Sequence, residues 1–400
     1  MKWRDMKKIP RIVIPHSWSH NMGDAAMLMT IDGILGRIAP GSSVVAFASH
    51  PAFTKEKCAG LTAGVEKWPW PIPRGRPSLA ELAIYPAVFL GNMLSALIYR
   101  LSGRKVFIFN SAYSAPLSAL FECDIVISPG GDFIGPNYFF ITTFGEMIMA
   151  RILGKKLVIC AQTIGPFEGA LNGHLAGLVL GTADLVIARE GRTARELLRF
   201  GVRKTVVTTD LAFSFPPPEG AGKRKRQVVI CPKKIKGNRE AYAEAMRKLA
   251  ERVSGEGFGI LFLASDRYDT DFQREIASGI RAEHEIIPDV LPPSEMARRI
   301  SESEFIVGSR MHAIILGSLS HTPFVAIGDS FKFGEILDPL CPGSTVPVST
   351  LDDSAIETII GRIKSADGLR KEIRANFPQV KRKSQENEEI LGRKFAEWGF

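Results

Sequence analysis

Four stretches of the chain join a strand-like run to a polar turn and a helical pattern, and one of them, FIVGSRMHAIILG at 305–317, concentrates groups that could hold an anion. A helix N-terminus offers free N–H groups and partial positive charge, and Ser309, Arg310 and His312 would surround a phosphate seated there. Ser309 could equally be a plain N-cap and His312 a satisfied core histidine, and the spacing alone does not separate these readings. The next run, FVAIGDSFK at 324–332, ends in a loop from which Lys332 can reach the same anion as a point charge.

Three earlier strand ends carry further candidates. In IPHSWSHNMGD at 14–24, Gly23 permits a tight turn before a helix and brings Asn21 and Asp24 to the strand end, with His16 and His20 in the same loop. Asp24 reads either as a helix cap or as a site carboxylate. In IVISPGGD at 125–132, Gly130 and Gly131 would let a ligand approach the main chain, or would simply make a turn. In ADLVIARE at 183–190, Arg189 could clamp a carboxylate or phosphate, or could pair with Glu190 or Asp210. Walker, GxSxG, HExxH and GxGxxG patterns do not occur in the sequence, so nucleotide hydrolysis, serine hydrolysis and zinc proteolysis have no support.

These stations need a scaffold that aims strand ends at a common crevice. From residue 11 the sequence alternates short β-branched runs with longer helical patterns, the grammar of a parallel sheet covered on both faces. Strands are expected near 11–15, 44–48, 106–109, 124–128, 156–161, 184–188 and 205–208, with a helix over 24–38. The segment PPPEGAGKRKRQ reads as a linker, and a second series follows, with strands near 228–231, 260–264, 305–308 and 324–327. Its helices are expected near 239–254, 271–281, 294–301 and 311–319. The fold class is therefore α/β, with two Rossmann-like doubly wound domains at 1–215 and 228–379, a linker at 216–227, and a C-terminal helix, 380–400, that returns to the first domain. Ligands of such sheets bind beyond the carboxyl ends of the strands, which places the candidates in the cleft between domains.

Composition narrows the partners. With 400 residues, 45% of them apolar and 23% charged, the chain can fill two cores. A net charge of +9 favours anionic partners. The basic residues are dispersed and accompany no nucleic-acid-binding signature, so nucleic acid is not expected as a partner. Five scattered cysteines suggest neither a disulfide framework nor a metal site, which fits a reducing cytoplasm; the basic start, 1–10, lacks an apolar signal core. The apolar stretch 79–101 is interrupted by Glu81, Pro86 and Asn92 and is expected to form a docked helical pair, with attachment to a membrane surface as the alternative favoured by Arg100, Arg104 and Lys105.

Taken in order, NMGD at 21–24, SPGG at 128–131, AQTIGP at 161–166, ARE at 188–190, TDLAF at 209–213, SRMH at 309–312 and the Lys332 loop resemble the polysaccharide pyruvyl transferase family over about residues 11–340. The resemblance implies a fold similar to the two-domain GT-B glycosyltransferases and a transfer from phosphoenolpyruvate to a sugar diol, forming a pyruvate ketal; the sequence shows no metal-ligand cluster, so the activity is expected to need no metal and no cofactor. The resemblance also implies that Arg310, His312 and Lys332 surround phosphoenolpyruvate and that Arg189 contacts it from the other domain. His312 is then the expected proton donor, since histidine titrates near neutrality, and Asp24 the expected base. The sequence departs from the family pattern at Asp132, where a third glycine is common, and at CPKK, 231–234, where an arginine often follows the strand. The acceptor is a sugar or glycan, lipid-linked if the 79–101 stretch serves it, and the expected location is the cytoplasm or the inner face of the membrane. A sugar-nucleotide-dependent glycosyltransferase and a non-catalytic glycan-binding relative are the competing readings.

Overall fold

A computed structural model describes residues 8–70, 79–109, 111–135, 140–167, 169–220, 222–235 and 237–400. Two parallel sheets dominate it. The first contains β1 (Arg11–Ser17), β2 (Ser43–Ala48), β3 (Gly64–Lys67), β4 (Ile125–Ser128), β5 (Gly131–Ile134), β6 (Lys156–Ile164), β7 (Leu185–Ala188) and β8 (Thr205–Val207). Its order is β3-β2-β1-β4-β6-β7-β8, with β5 paired to β6. The second contains β9 (Lys225–Cys231), β10 (Gly259–Phe262), β11 (His284–Ile286), β12 (Ser303–Gly308), β13 (Phe324–Ile327) and β14 (Thr345–Val346), in the order β11-β10-β9-β12-β13-β14.

Each sheet winds outward in two directions from one strand, so each has a switch point: between β1 and β4 in the first, and between β9 and β12 in the second. At such a point neighbouring loops leave in opposite directions and open a crevice. The loops after β1, β4, β9 and β12 carry NMGD, PGGD, PKK and SRMH respectively. The two crevices face each other because two apolar helices pack together between the sheets. The Met22–Ile38 helix buries eleven residues, and the Met311–Ser318 helix buries all eight. A helix apolar nearly all round must be enclosed, and here one continuous apolar cluster, from Ile12 through Met27 to Val229 and Ile314, runs across both domains.

The Ala366–Glu397 helix leaves the second domain, where Arg370 bonds the Glu304 carbonyl at 3.1 Å, and crosses onto the first. There Ser384 donates to the Asp210 carbonyl at 2.8 Å, and Arg37 holds Glu388 at 2.6 and 2.8 Å.

Several local expectations change. Residues 106–109 form no strand; the segment lies back along the preceding helix, where Ser95 Oγ accepts the Ile108 N–H at 3.1 Å and Gly91 leaves room for the Ile108 carbonyl. The 79–101 stretch is one helix, Leu79–Ser102, with Pro86 inside it, rather than a pair. β9 begins at Lys225, within the expected linker, because the basic run is structural: Arg224 donates to the carbonyls of Ser301 and Ser320 at 3.1 and 2.7 Å.

Candidate active site

A cavity of about 360 Å³ lies between the two switch points. The first domain contributes Trp18, His20, Asn21, Asp24, Asp132 and Arg189 to its wall. The second contributes Lys233, Asp266, Ser309, Arg310, His312 and Lys332. The two sides are pinned by main-chain bonds: Met22 N–H to the Ser265 carbonyl at 2.8 Å, and Arg267 N–H to the His20 carbonyl at 3.0 Å.

Asn21, not Asp24, caps the first helix, its Oδ1 accepting from the Gly23 N–H at 3.0 Å. Asp24 is thereby left facing the cavity. Burial first, then the charges of Asp132 and Asp266, push its pKa well above the ordinary carboxylate range, against the pull of Arg189 and Lys332. Asp132 behaves oppositely: paired across the cleft with Lys332, it is held below the usual range chiefly by that ammonium.

A buried chain of charges runs inward from the wall at Arg189 and His312. Arg189 Nη1 donates to Asp210 Oδ2 at 2.6 Å and Nε donates to Thr163 Oγ1 at 2.6 Å. His312 Nε2 stands 3.3 Å from the same Asp210 oxygen, at ion-pair distance but outside the alignment of a good hydrogen bond. Asp210 Oδ1 accepts from the Ala212 N–H at 2.9 Å. Burial opposes ionisation of Asp210, but His312 and Arg189 outweigh it and hold its pKa below the ordinary range. The expected Arg189–Asp210 pair therefore exists, and Asp210 links Arg189 to His312 across the domain boundary.

Arg310 is the N-cap residue of the Met311–Ser318 helix and makes no side-chain cap bond, while Ser309 Oγ is spent on Tyr242 Oη at 2.6 Å. Thus Ser309 is not the N-cap, and no side chain caps the helix start that faces the cavity. Arg310 is oriented by Asp269 at 2.6 Å and Asp266 at 3.0 Å. Burial works against its charge, but these carboxylates keep its pKa above the ordinary value.

Gly130 and Gly131 stand apart from the cavity wall. A Cβ at Gly130 would meet Met27 Sδ at 2.8 Å, so this glycine lets the first helix close on the sheet; Gly131 has φ 147°, a conformation side chains rarely adopt. Sequence reasoning noted CPKK, 231–234, only as a departure from the family pattern and did not place Lys233 in the site. Among the described residues it is the cavity cation without a carboxylate at ion-pair distance. Burial and the nearby charges of Arg310 and Lys332 lower its pKa, against the pull of Asp132 and Asp269. Asp266 and Asp269 were also missed, although they follow β10 as the other groups follow their strands.

Among the described residues no three His, Cys, Asp or Glu side chains cluster as metal ligands. Two parallel α/β domains with a polar cavity between their switch points define a fold of the GT-B type. Solved structures agree on that fold: a UDP-N-acetylglucosamine 2-epimerase superposes with TM-score 0.63 at 15% identity, covering 98% of this chain and 97% of its own. The UDP-GlcNAc 2-epimerase of Neisseria meningitidis gives 0.56 at 14%, covering 95% and 98%, and a spinosyn rhamnosyltransferase gives 0.54 at 13%, covering 96% and 98%. The chain belongs to the polysaccharide pyruvyl transferase family, whose model matches residues 21–330. It is also 22% identical over 312 residues, 69% of this chain and 72% of the relative, to the amylovoran biosynthesis protein AmsJ of Erwinia amylovora. Family and fold together make it a transferase of polysaccharide biosynthesis.

Proposed function

We propose that the protein transfers the carboxyvinyl unit of phosphoenolpyruvate to two hydroxyls of a sugar diol on a glycan precursor, releasing phosphate and closing a pyruvate ketal. One observation carries this reading: Lys233, Arg310 and Lys332 converge on an uncapped helix start in one cavity with the Asp210-linked His312. Phosphoenolpyruvate bears a carboxylate and a phosphate, and such charge-assisted contacts in a water-poor site are strong.

The chemistry balances with residues at hand. His312 gives a proton to the methylene carbon, turning the C=C bond into a methyl group and leaving a cation at the adjacent carbon. The carboxylate of Asp210 stabilises the imidazolium that precedes this transfer. A first sugar hydroxyl adds to the cationic carbon and gives its proton to Asp24; a second attacks the same carbon and gives its proton to the now neutral His312 as the C–O bond to phosphate breaks and inorganic phosphate leaves, taking up the proton held by Asp24. Asp24 is the first base in this scheme. Burial, with the charges of Asp132 and Asp266 beside it, raises its affinity for a proton above that of an ordinary carboxylate. The scheme needs no metal and no cofactor.

The test is thermal melting of the purified protein with phosphoenolpyruvate or UDP-sugars, because a ligand that binds only the folded state raises the melting temperature. Stabilisation by phosphoenolpyruvate, lost in Arg310→Ala, followed by phosphate release on adding glycan acceptors, supports the reading. Stabilisation by a UDP-sugar alone replaces it with glycosyl transfer. Turnover abolished by a chelator and restored by divalent ion refutes metal independence.

A further inference from the structure

The Leu79–Ser102 helix presents an apolar face that nothing in the described chain covers. Ile84, Ala87, Leu90, Leu94, Leu97 and Leu101 are all exposed and follow one another at intervals of three or four, one side of a helix. The opposite side is docked. Tyr85, Val88 and Ala96 are buried against the domain, Asn92 donates to the Pro69 carbonyl at 3.3 Å, and Ser95 is bonded at 3.1 Å to the segment that follows. The apolar surface extends beyond this helix. Phe109, 81% exposed, lies beside Gly91, and Leu171 and Leu178 project from the Ala170–Leu180 helix, 72% and 70% exposed. Both helices pack on the Phe140–Ile152 helix, on the same side of the first sheet.

We propose that this face seats the protein on an anionic bilayer surface, with the Leu79–Ser102 helix lying in the plane of the interface. Charge selects this occupant. From Ile84 to Tyr99 the helix has no charged residue, and at its end Arg100 and Arg104 are exposed without a carboxylate at ion-pair distance among the described residues. An apolar face edged by unpaired arginines matches acyl chains below anionic headgroups. The segment 84–102 is long and apolar enough to span a bilayer, but its docked side and the bonds of Asn92 and Ser95 hold it against the domain. A second copy of the chain is the weaker fit. Helix pairing sets charged residues beside the apolar seam to fix the partner, none occurs here between residues 84 and 99, and Phe109, Leu171 and Leu178 broaden the face beyond a single seam.

This inference does not depend on phosphoenolpyruvate, so its failure would leave the proposed reaction untouched. The experiment is vesicle flotation of the full chain with phosphatidylcholine alone or mixed with phosphatidylglycerol, at low and high salt. The protein is expected to float with the mixed vesicles and far less with phosphatidylcholine. Arg100→Glu with Arg104→Glu should weaken binding at least about tenfold, since each basic residue near an anionic surface is worth roughly fivefold. Leu94→Glu with Leu97→Glu, and separately Leu171→Glu with Leu178→Glu, should abolish flotation while leaving the melting temperature unchanged, because these side chains are exposed. Absence of wild-type flotation, or flotation unaffected by the leucine variants, overturns the proposal. So does a dimer in light scattering that Leu94→Glu with Leu97→Glu dissociates.

Discussion

Gly23 occupies the first turn of the Met22–Ile38 helix directly beneath His312. A Cβ placed there would lie 2.0 Å from both Cγ and Nδ1 of the imidazole and 2.3 Å from the histidine Cβ. To regain the 3.4 Å of ordinary contact the ring must retreat by roughly 1.4 Å, or one helix must shift against the other. Both helices are buried in the shared core, and such overpacking costs about 1–3 kcal/mol. Gly23→Ala therefore separates two explanations by sign. If the glycine were merely a weak helix former, alanine would stabilise by up to about 1 kcal/mol; if it makes room for His312, alanine destabilises.

The same displacement disturbs the placement of His312 against Asp210, now 3.3 Å from Nε2, and with it the position in which it would deliver a proton. A misplacement of about 1 Å costs on the order of a hundredfold in rate. Lys233, Arg310 and Lys332 are untouched. Gly23→Ala should accordingly melt at lower temperature, keep its stabilisation by phosphoenolpyruvate, and release phosphate about a hundredfold more slowly. A variant that melts higher than wild type and turns over at the same rate would refute the reasoning.

Lys233→Gln should weaken phosphoenolpyruvate about tenfold to a hundredfold in a melting or calorimetric titration, the worth of one hydrogen bond to a charged group, and unchanged affinity would remove Lys233 from the site. Arg189→Met leaves the Asp210 carboxylate buried without its nearest cationic partner and should cost about 3–5 kcal/mol by denaturant unfolding. Adding Asp210→Leu should recover most of that stability without restoring turnover, and if Arg189→Met unfolds with wild type the buried chain is not structural. The pKa of His20 is pushed down to about 4 by burial, then by the charges of His50, Arg310 and Arg267. Between its ordinary 6.5 and about 4 the unfolded chain takes a proton that the folded one refuses, so stability present above 6.5 is lost as pH falls through this window. The loss is about 2 kcal/mol near pH 5 and about 3 kcal/mol once both states are protonated. His20→Gln should flatten that limb of the stability profile, and an unchanged profile would show that His20 does not govern it.

What the sequence made legible is what a strand end reveals locally. The helix start at Arg310 and His312, the start of the Phe331–Leu337 helix at Lys332, where a loop was expected, and the helix start at Asn21 and Asp24 each follow a buried β-branched run, and each reaches the cavity. Of the strands missed, β3, β5 and β11 each hold a single β-branched residue and β14 is only two residues long, so no apolar run marks them, and three of the four are sheet edges. The missed chemistry is different in kind, because it resides in pairings between segments far apart in sequence. Asp210 acquires its role only when Arg189 and His312 arrive from different domains, and the C-terminal helix that supports its loop bonds to it through Ser384. Asp24 and Asp132 are the sharper case. As residue types they are identical and each follows a strand of the first sheet, yet the fold gives Asp132 a lysine across the cleft and gives Asp24 burial beside the charge that Asp132 keeps. Their pKa values are driven apart, one below and one above the ordinary range, and such separation is how two carboxylates in one site come to hold different roles. No local pattern assigns those roles; the strand order that sets Lys332 opposite Asp132 does.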